Sequence, residues 1–138
     1  MGQPQCLALV VCDQVIEDRR TGNKTLVGLF NIIAVGALPT THRLFLMASV
    51  TGMDRPVPLT IKLVPPQGPP VELTLEPGEK AKTQPQVVHD LVFDFRGLVL
   101  THEGDYAIQL CHEDVVLASR HFSVRLLKTD TTKPIAQG

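Results

Sequence analysis

The residues of this chain best equipped for chemistry are its histidines and the acids beside them. His112, Glu113 and Asp114 are consecutive, and His102 and Glu103 immediately precede Gly104-Asp105. If these two groups converged, they would give a loop cluster able to serve a small-ligand or metal-dependent enzyme. Zinc requires three or four converging nitrogen or sulfur ligands. A two-residue turn at Glu113-Asp114 places His121 opposite Tyr106, several residues from His112, so those two histidines do not share an ion. No other spacing supplies a ligand set, and a calcium loop of the Asp-x-Asp-x-Asp-Gly kind is absent from the sequence. Acids in glycine-containing turns are ordinarily just solvated. Of the three serines, Ser49, Ser119 and Ser123, none sits in a Gly-x-Ser-x-Gly elbow, and no glycine-rich phosphate loop is present. Cys111 and His112 are neighbours in sequence but point to opposite faces of a strand. His89 falls in phase with Leu91, Phe93 and Phe95, the pattern of a strand-end or hydrogen-bonded core residue. The sequence assigns no catalytic residue, no metal ligand and no cofactor.

The composition narrows the remaining classes. Apolar residues make up 43% and aromatics only 4% with no Trp, so the core is aliphatic and suits packed sheets. A formal charge of −1 gives no electrostatic footprint for nucleic acid or an anionic membrane. The densest basic group, Arg19, Arg20 and Lys24, follows Glu17 and Asp18 and reads as a solvated turn. Three cysteines, Cys6, Cys12 and Cys111, are odd in number, lack a C-x-x-C spacing and lie in apolar runs. They read as buried free thiols. The apolar run 6–12 is too short for a signal peptide or membrane span, so the expected location is the cytoplasm.

The elements that position these residues are strands. The expectation is a single domain over residues 1–138, with a polar lead at 1–5 and a flexible tail at 129–138. Residues 6–18 and 25–33 form a hairpin through a turn at Gly22-Asn23, and Gly28 in the second run marks a bulge or a close backbone approach. A loop at 35–41 leads to a strand at 42–51. Eight of the eleven prolines fall between 56 and 85, so the runs 57–64 and 71–76 are edge strands or strand ends. A further turn is expected at Pro77-Gly78-Glu79-Lys80. Strand 87–96 turns Leu91, Phe93 and Phe95 inward and Asp90, Asp94 and Arg96 outward. In the closing hairpin Tyr106, Ile108 and Leu110 face the core opposite Phe122, Val124 and Leu126. Leu117 is out of phase with Phe122, which predicts a bulge near residues 118–120. Tyr106 follows Gly104-Asp105 at a strand start, where a tyrosine corner would bond its hydroxyl to upstream backbone; a half-buried tyrosine with a wet hydroxyl is the other reading. The fold class is all-β, an immunoglobulin-like antiparallel sandwich of seven to eight strands.

Cys12-Asp13-Gln14-Val15-Ile16-Glu17-Asp18, Leu26-Val27-Gly28-Leu29-Phe30-Asn31, Arg43-Leu44-Phe45-Leu46-Met47-Ala48 and Gly104-Asp105-Tyr106 resemble a family of short bacterial proteins of unknown function. The resemblance runs from the first strand to Val124. It implies an immunoglobulin-like sandwich and assigns no functional residue.

One feature of the sequence exceeds what a sandwich needs. Strands with one wet face should alternate apolar and polar residues, yet 7–12, 26–30 and 44–48 are apolar on both faces. Some outward face must therefore be covered, by loops, by the tail or by another chain. The expected function is a protein-binding or assembly module whose interface is Leu7, Leu9, Val11, Val27, Leu29, Phe45 and Met47, or the even-numbered alternates if the phase is inverted. The expected partner is a protein or a second copy in a homodimer, with neither nucleic acid nor membrane. A structural subunit of a phage or secretion assembly is a further possibility, by analogy of fold alone.

Overall fold

The computed structural model describes residues 3–53, 57–75 and 87–127. The turn expected at residues 77–80 and the tail expected from 129 lie outside the described residues. Among the described residues nine strands are present: β1 (Gln5–Glu17), β2 (Lys24–Leu29), β3 (Ile32–Val35), β4 (Thr40–Thr51), β5 (Leu59–Val64), β6 (Val71–Leu75), β7 (His89–Leu100), β8 (Gly104–His112) and β9 (Val115–Leu126). They form two sheets, one in the order β2-β1-β4-β7 and one in the order β3-β9-β8-β5-β6.

Period-two alternation builds the core. From β4, Leu44, Leu46, Ala48 and Val50 are fully buried, and Ile61 of β5, Ile108 and Leu110 of β8 and Val124 of β9 face them from the second sheet. Each such aliphatic side chain contributes on the order of 1.5–3 kcal/mol on burial. Tyr106 and Phe122 stack with ring centroids 5.4 Å apart, and Phe30 meets Phe122 edge-on at 6.2 Å. The Tyr106 hydroxyl donates to the His102 carbonyl at 2.8 Å and accepts from the His102 amide at 3.3 Å. That is the corner arrangement, and it pins the loop entering β8.

Several expectations from the sequence need correcting. The run 25–33 is not one strand. β2 pairs with β1, whereas β3 pairs in parallel with β9, so the chain changes sheets at Phe30-Asn31. The all-β immunoglobulin-like sandwich is as expected from the sequence, with nine strands among the described residues and one parallel pair, β3–β9, within it. Asn31 secures the crossing: its carbonyl accepts from the Ser123 amide at 2.8 Å, and its Oδ1 accepts from Arg120 Nη2 at 2.9 Å. Of the two proline-flanked runs, β6 is an edge, but β5 is interior, between β6 and β8.

The hairpin β8–β9 turns at Glu113-Asp114, with Glu113 in the left-handed region at φ 56. Its register shifts between Leu110 and Cys111, which makes Leu117 the extra residue, just before the stretch where the bulge was expected. The shift sets His121 opposite Ala107 and Phe122 opposite Tyr106, one place from the expected pairing of His121 with Tyr106.

Candidate interaction surface

Because Leu44, Leu46, Ala48 and Val50 occupy the core side of β4, Phe45, Met47 and Ser49 must point outward. The register carries this outer face across the sheet, since directly opposite residues in antiparallel strands share a face. Phe45 lies between Cys12 and Asp94, and Cys12 is in turn opposite Leu29. Met47 lies between Val10 and Val92. Leu29 is 61% exposed and Val92 37%, while Val10, Phe45 and Met47 are half-buried. Cys12 sits in the middle of this patch and is fully buried between its apolar neighbours.

The seven positions singled out from the sequence divide accordingly. Phe45 and Met47 lie on the outer face as expected, and Leu29 joins them. Val27 is exposed at 42%, across from Gln14, and Leu7 is exposed at 57%. Leu9 and Val11, in contrast, belong to the core, at 8% and 0% exposure. Their phase is inverted relative to the sequence reading because β1 carries a bulge: Cys6 pairs with Val50 and Ala8 with Ser49, leaving Leu7 as the inserted residue. The outward members of β1 are therefore the even-numbered Ala8, Val10 and Cys12.

A charged group borders the patch. Arg43 Nε donates to Asp94 Oδ1 at 3.0 Å and its Nη2 to Oδ2 at 2.8 Å, while Arg96 Nε donates to the same Oδ2 at 3.0 Å. The Arg43 guanidinium also lies 5.1 Å from the centroid of the Phe45 ring. Hydrogen bonding from Arg43, with Arg96 adding to it, holds the Asp94 carboxyl down to about 2, and the same contact raises the Arg43 pKa. At the other end, Ser49 Oγ donates to Asp90 Oδ1. There Asn23, Lys24 and Leu26 of the first hairpin share an open cleft with Met47, Ser49 and Asp90. The hairpin loop is shaped by Asp18, whose Oδ1 accepts from the amides of Arg20 and Thr21 at 2.7 and 3.2 Å.

Sequence reasoning missed Val92 and the Arg43–Asp94–Arg96 group. The signal for Val92 was present, since it alternates with the inward Leu91 and Phe93. The arginine pairing depends on the β4–β7 register, which no local pattern reveals.

The histidine and acid cluster is not assembled. His102 and Glu103 precede β8 and His112, Glu113 and Asp114 end it, so nine residues of extended strand, roughly 30 Å, separate them. Glu103 Oε1 accepts from the Leu126 amide, and His112 Nδ1 pairs with Gln3 Oε1. Among the described residues, no group of three His, Cys, Asp or Glu side chains is placed to hold a metal ion. Cys6, Cys12 and Cys111 are free thiols, and desolvation by burial raises the pKa of each.

Two sheets packed face to face, a chain crossing between them and a tyrosine corner define an immunoglobulin-like sandwich. A solved immunoglobulin-like protein from Pseudomonas aeruginosa shares this architecture, with a TM-score of 0.52 and 15% identity over 90% of this chain and 98% of that one. The chain belongs to DUF6941, a family of unknown function, whose model matches residues 7–125. No curated protein matches the sequence.

Proposed function

We propose that the protein is a binding or assembly module that uses the outer face of β1, β4 and β7, with Leu29 and Val27 of β2 at its border. The observation that carries this reading is an apolar patch of Leu29, Val10, Phe45, Met47 and Val92, bordered by Arg43, Asp94 and Arg96. An apolar centre with an arginine-bearing polar rim is the anatomy of a protein interface. Leu29 and Val92, 61% and 37% exposed, are the anchors at its two flanks. The free thiols fit a reducing compartment, and we place the protein in the cytoplasm on that ground.

The test is affinity capture of the tagged protein from its native cells, run in parallel with Leu29→Glu and Val92→Glu. Leu29 is 61% exposed, so its replacement should move stability by no more than about 0.5 kcal/mol, while Val92, 37% exposed and flanked on its face by Asp90 and Asp94, is checked for a cooperative melting transition before capture. The expected result is a stoichiometric partner recovered with the wild type and lost with both variants. Undiminished recovery with both variants would overturn the assignment of this face.

A further inference from the structure

The second sheet ends on β6, where side chains of the core face meet solvent. Val71 and Leu73 are the cross-strand partners of Leu63 and Ile61. Those partners are buried, so Val71 and Leu73 point to the same, inner side of the sheet. They are nevertheless 61% and 46% exposed, an apolar row overhanging the end of the core.

The other sheet edges carry features that oppose strand addition. β7 has a register shift opposite Arg43 and carries Asp90 and Asp94 on its outer face. β2 begins with Lys24 and is interrupted by Gly28 in the left-handed region. β3 is only four residues long. β6 is short as well, but its five residues include no proline, and its one charge is turned back onto β5, where Lys62 Nζ lies 3.3 Å from Glu72 Oε1.

We propose that β6 is the self-association edge of the protein, pairing antiparallel with β6 of a second copy about a two-fold axis at Leu73. This register uses all five residues. It sets Leu73 against the second copy's Leu73, which brings the two inner apolar rows together. On the outer side it sets Glu72 against Thr74, with no like charges opposed. A register centred on Glu72 would oppose two carboxylates, and any one-residue slip would set apolar side chains against polar ones. The contact is isologous and closes as a dimer. It lies on the opposite sheet from the face assigned under the proposed function, so the two readings stand or fall separately.

Light scattering of the full chain over a range of concentrations tests the proposal. The wild type should be a dimer, and Leu73→Lys should be a monomer that still unfolds in one cooperative transition, its midpoint lowered by the loss of association. Thr74→Glu, which opposes two carboxylates at each of two equivalent positions, should raise the dimer dissociation constant about tenfold. Thr74→Lys, which opposes lysine to Glu72, should not raise it. Leu29→Glu, on the other sheet, should leave the dimer intact. A monomeric wild type, or a dimer indifferent to both Leu73→Lys and Thr74→Glu, would overturn the proposal.

Discussion

Tyr106 shows how one side chain can do two structural jobs. Its ring is 1% exposed and stacks on Phe122, while its hydroxyl both donates to and accepts from the His102 backbone. Removing the hydroxyl leaves the amide and carbonyl of exposed His102 to water, at a net cost of about 0.5–1.5 kcal/mol. Tyr106→Phe should therefore lower the unfolding free energy by that amount in chemical denaturation, with an unchanged m-value. A loss below about 0.5 kcal/mol would mean that water replaces the hydroxyl without penalty. The corner was only half legible in the sequence: Gly104-Asp105-Tyr106 at a strand start suggested it, but the same letters fit a tyrosine with its hydroxyl in water. Asp94 makes a second prediction. Its carboxyl is held at about 2 against an ordinary 3.8, so it is depressed in the folded state. Its stabilising contribution is complete above the ordinary value and is lost as the pH falls from about 4 through about 2. Asp94→Asn should therefore lower the melting temperature at neutral pH, flatten its decline across that window and converge on the wild type at its acid end. A wild-type and a variant acid limb of equal steepness would show that the arginine contacts do not persist in solution.

At the scale of strands, most of the alternation was readable and the places where it slips were not. Ile108, Leu110, Phe122 and Val124 lie on the core face that their spacing implied. Leu9 and Val11 do not lie where their spacing from Leu7 implied, because a bulge at Leu7 changes the parity of β1 and nothing local marks it. Likewise, 25–33 reads as one apolar strand because a sheet switch needs only a change of hydrogen-bonding partner, and Phe30-Asn31 carries no turn signal. Gly28 was legible for a physical reason, since glycine within a strand implies a conformation or an approach closed to other residues. Its φ is +73, and a Cβ there would run into the Asp13 carboxylate on β1. Gly28→Ala should cost about 1–2 kcal/mol from the left-handed backbone alone, read as a drop in the melting temperature. Gly28→Ala combined with Asp13→Ala should recover only the steric part of the loss. Full recovery would show that the backbone is not left-handed at this position.

At the scale of the molecule, the two-faced apolarity of the strands resolves into two separate surfaces. The outer face of β1, β4 and β7 keeps Leu29 and Val92 in solvent beside half-buried Phe45 and Met47, with the Arg43–Asp94–Arg96 group at its border. The edge at β6 leaves part of the inner apolar row uncovered. That an apolar surplus existed could be read from composition and alternation. Which face held it could not, because that depends on register and on the bulge in β1. The histidines and acids, which drew attention as chemistry in the sequence, are distributed by the topology to opposite ends of β8. Hydrogen exchange of the captured complex against the free protein reads out whether the outer face of the first sheet is the interaction surface. Exchange should slow in 27–29, 45–47 and the β7 segment around Val92, with β8 and β9 unchanged. Protection confined to β8, β9 and the loop at Glu113-Asp114, with the outer face of the first sheet unaltered, would contradict it.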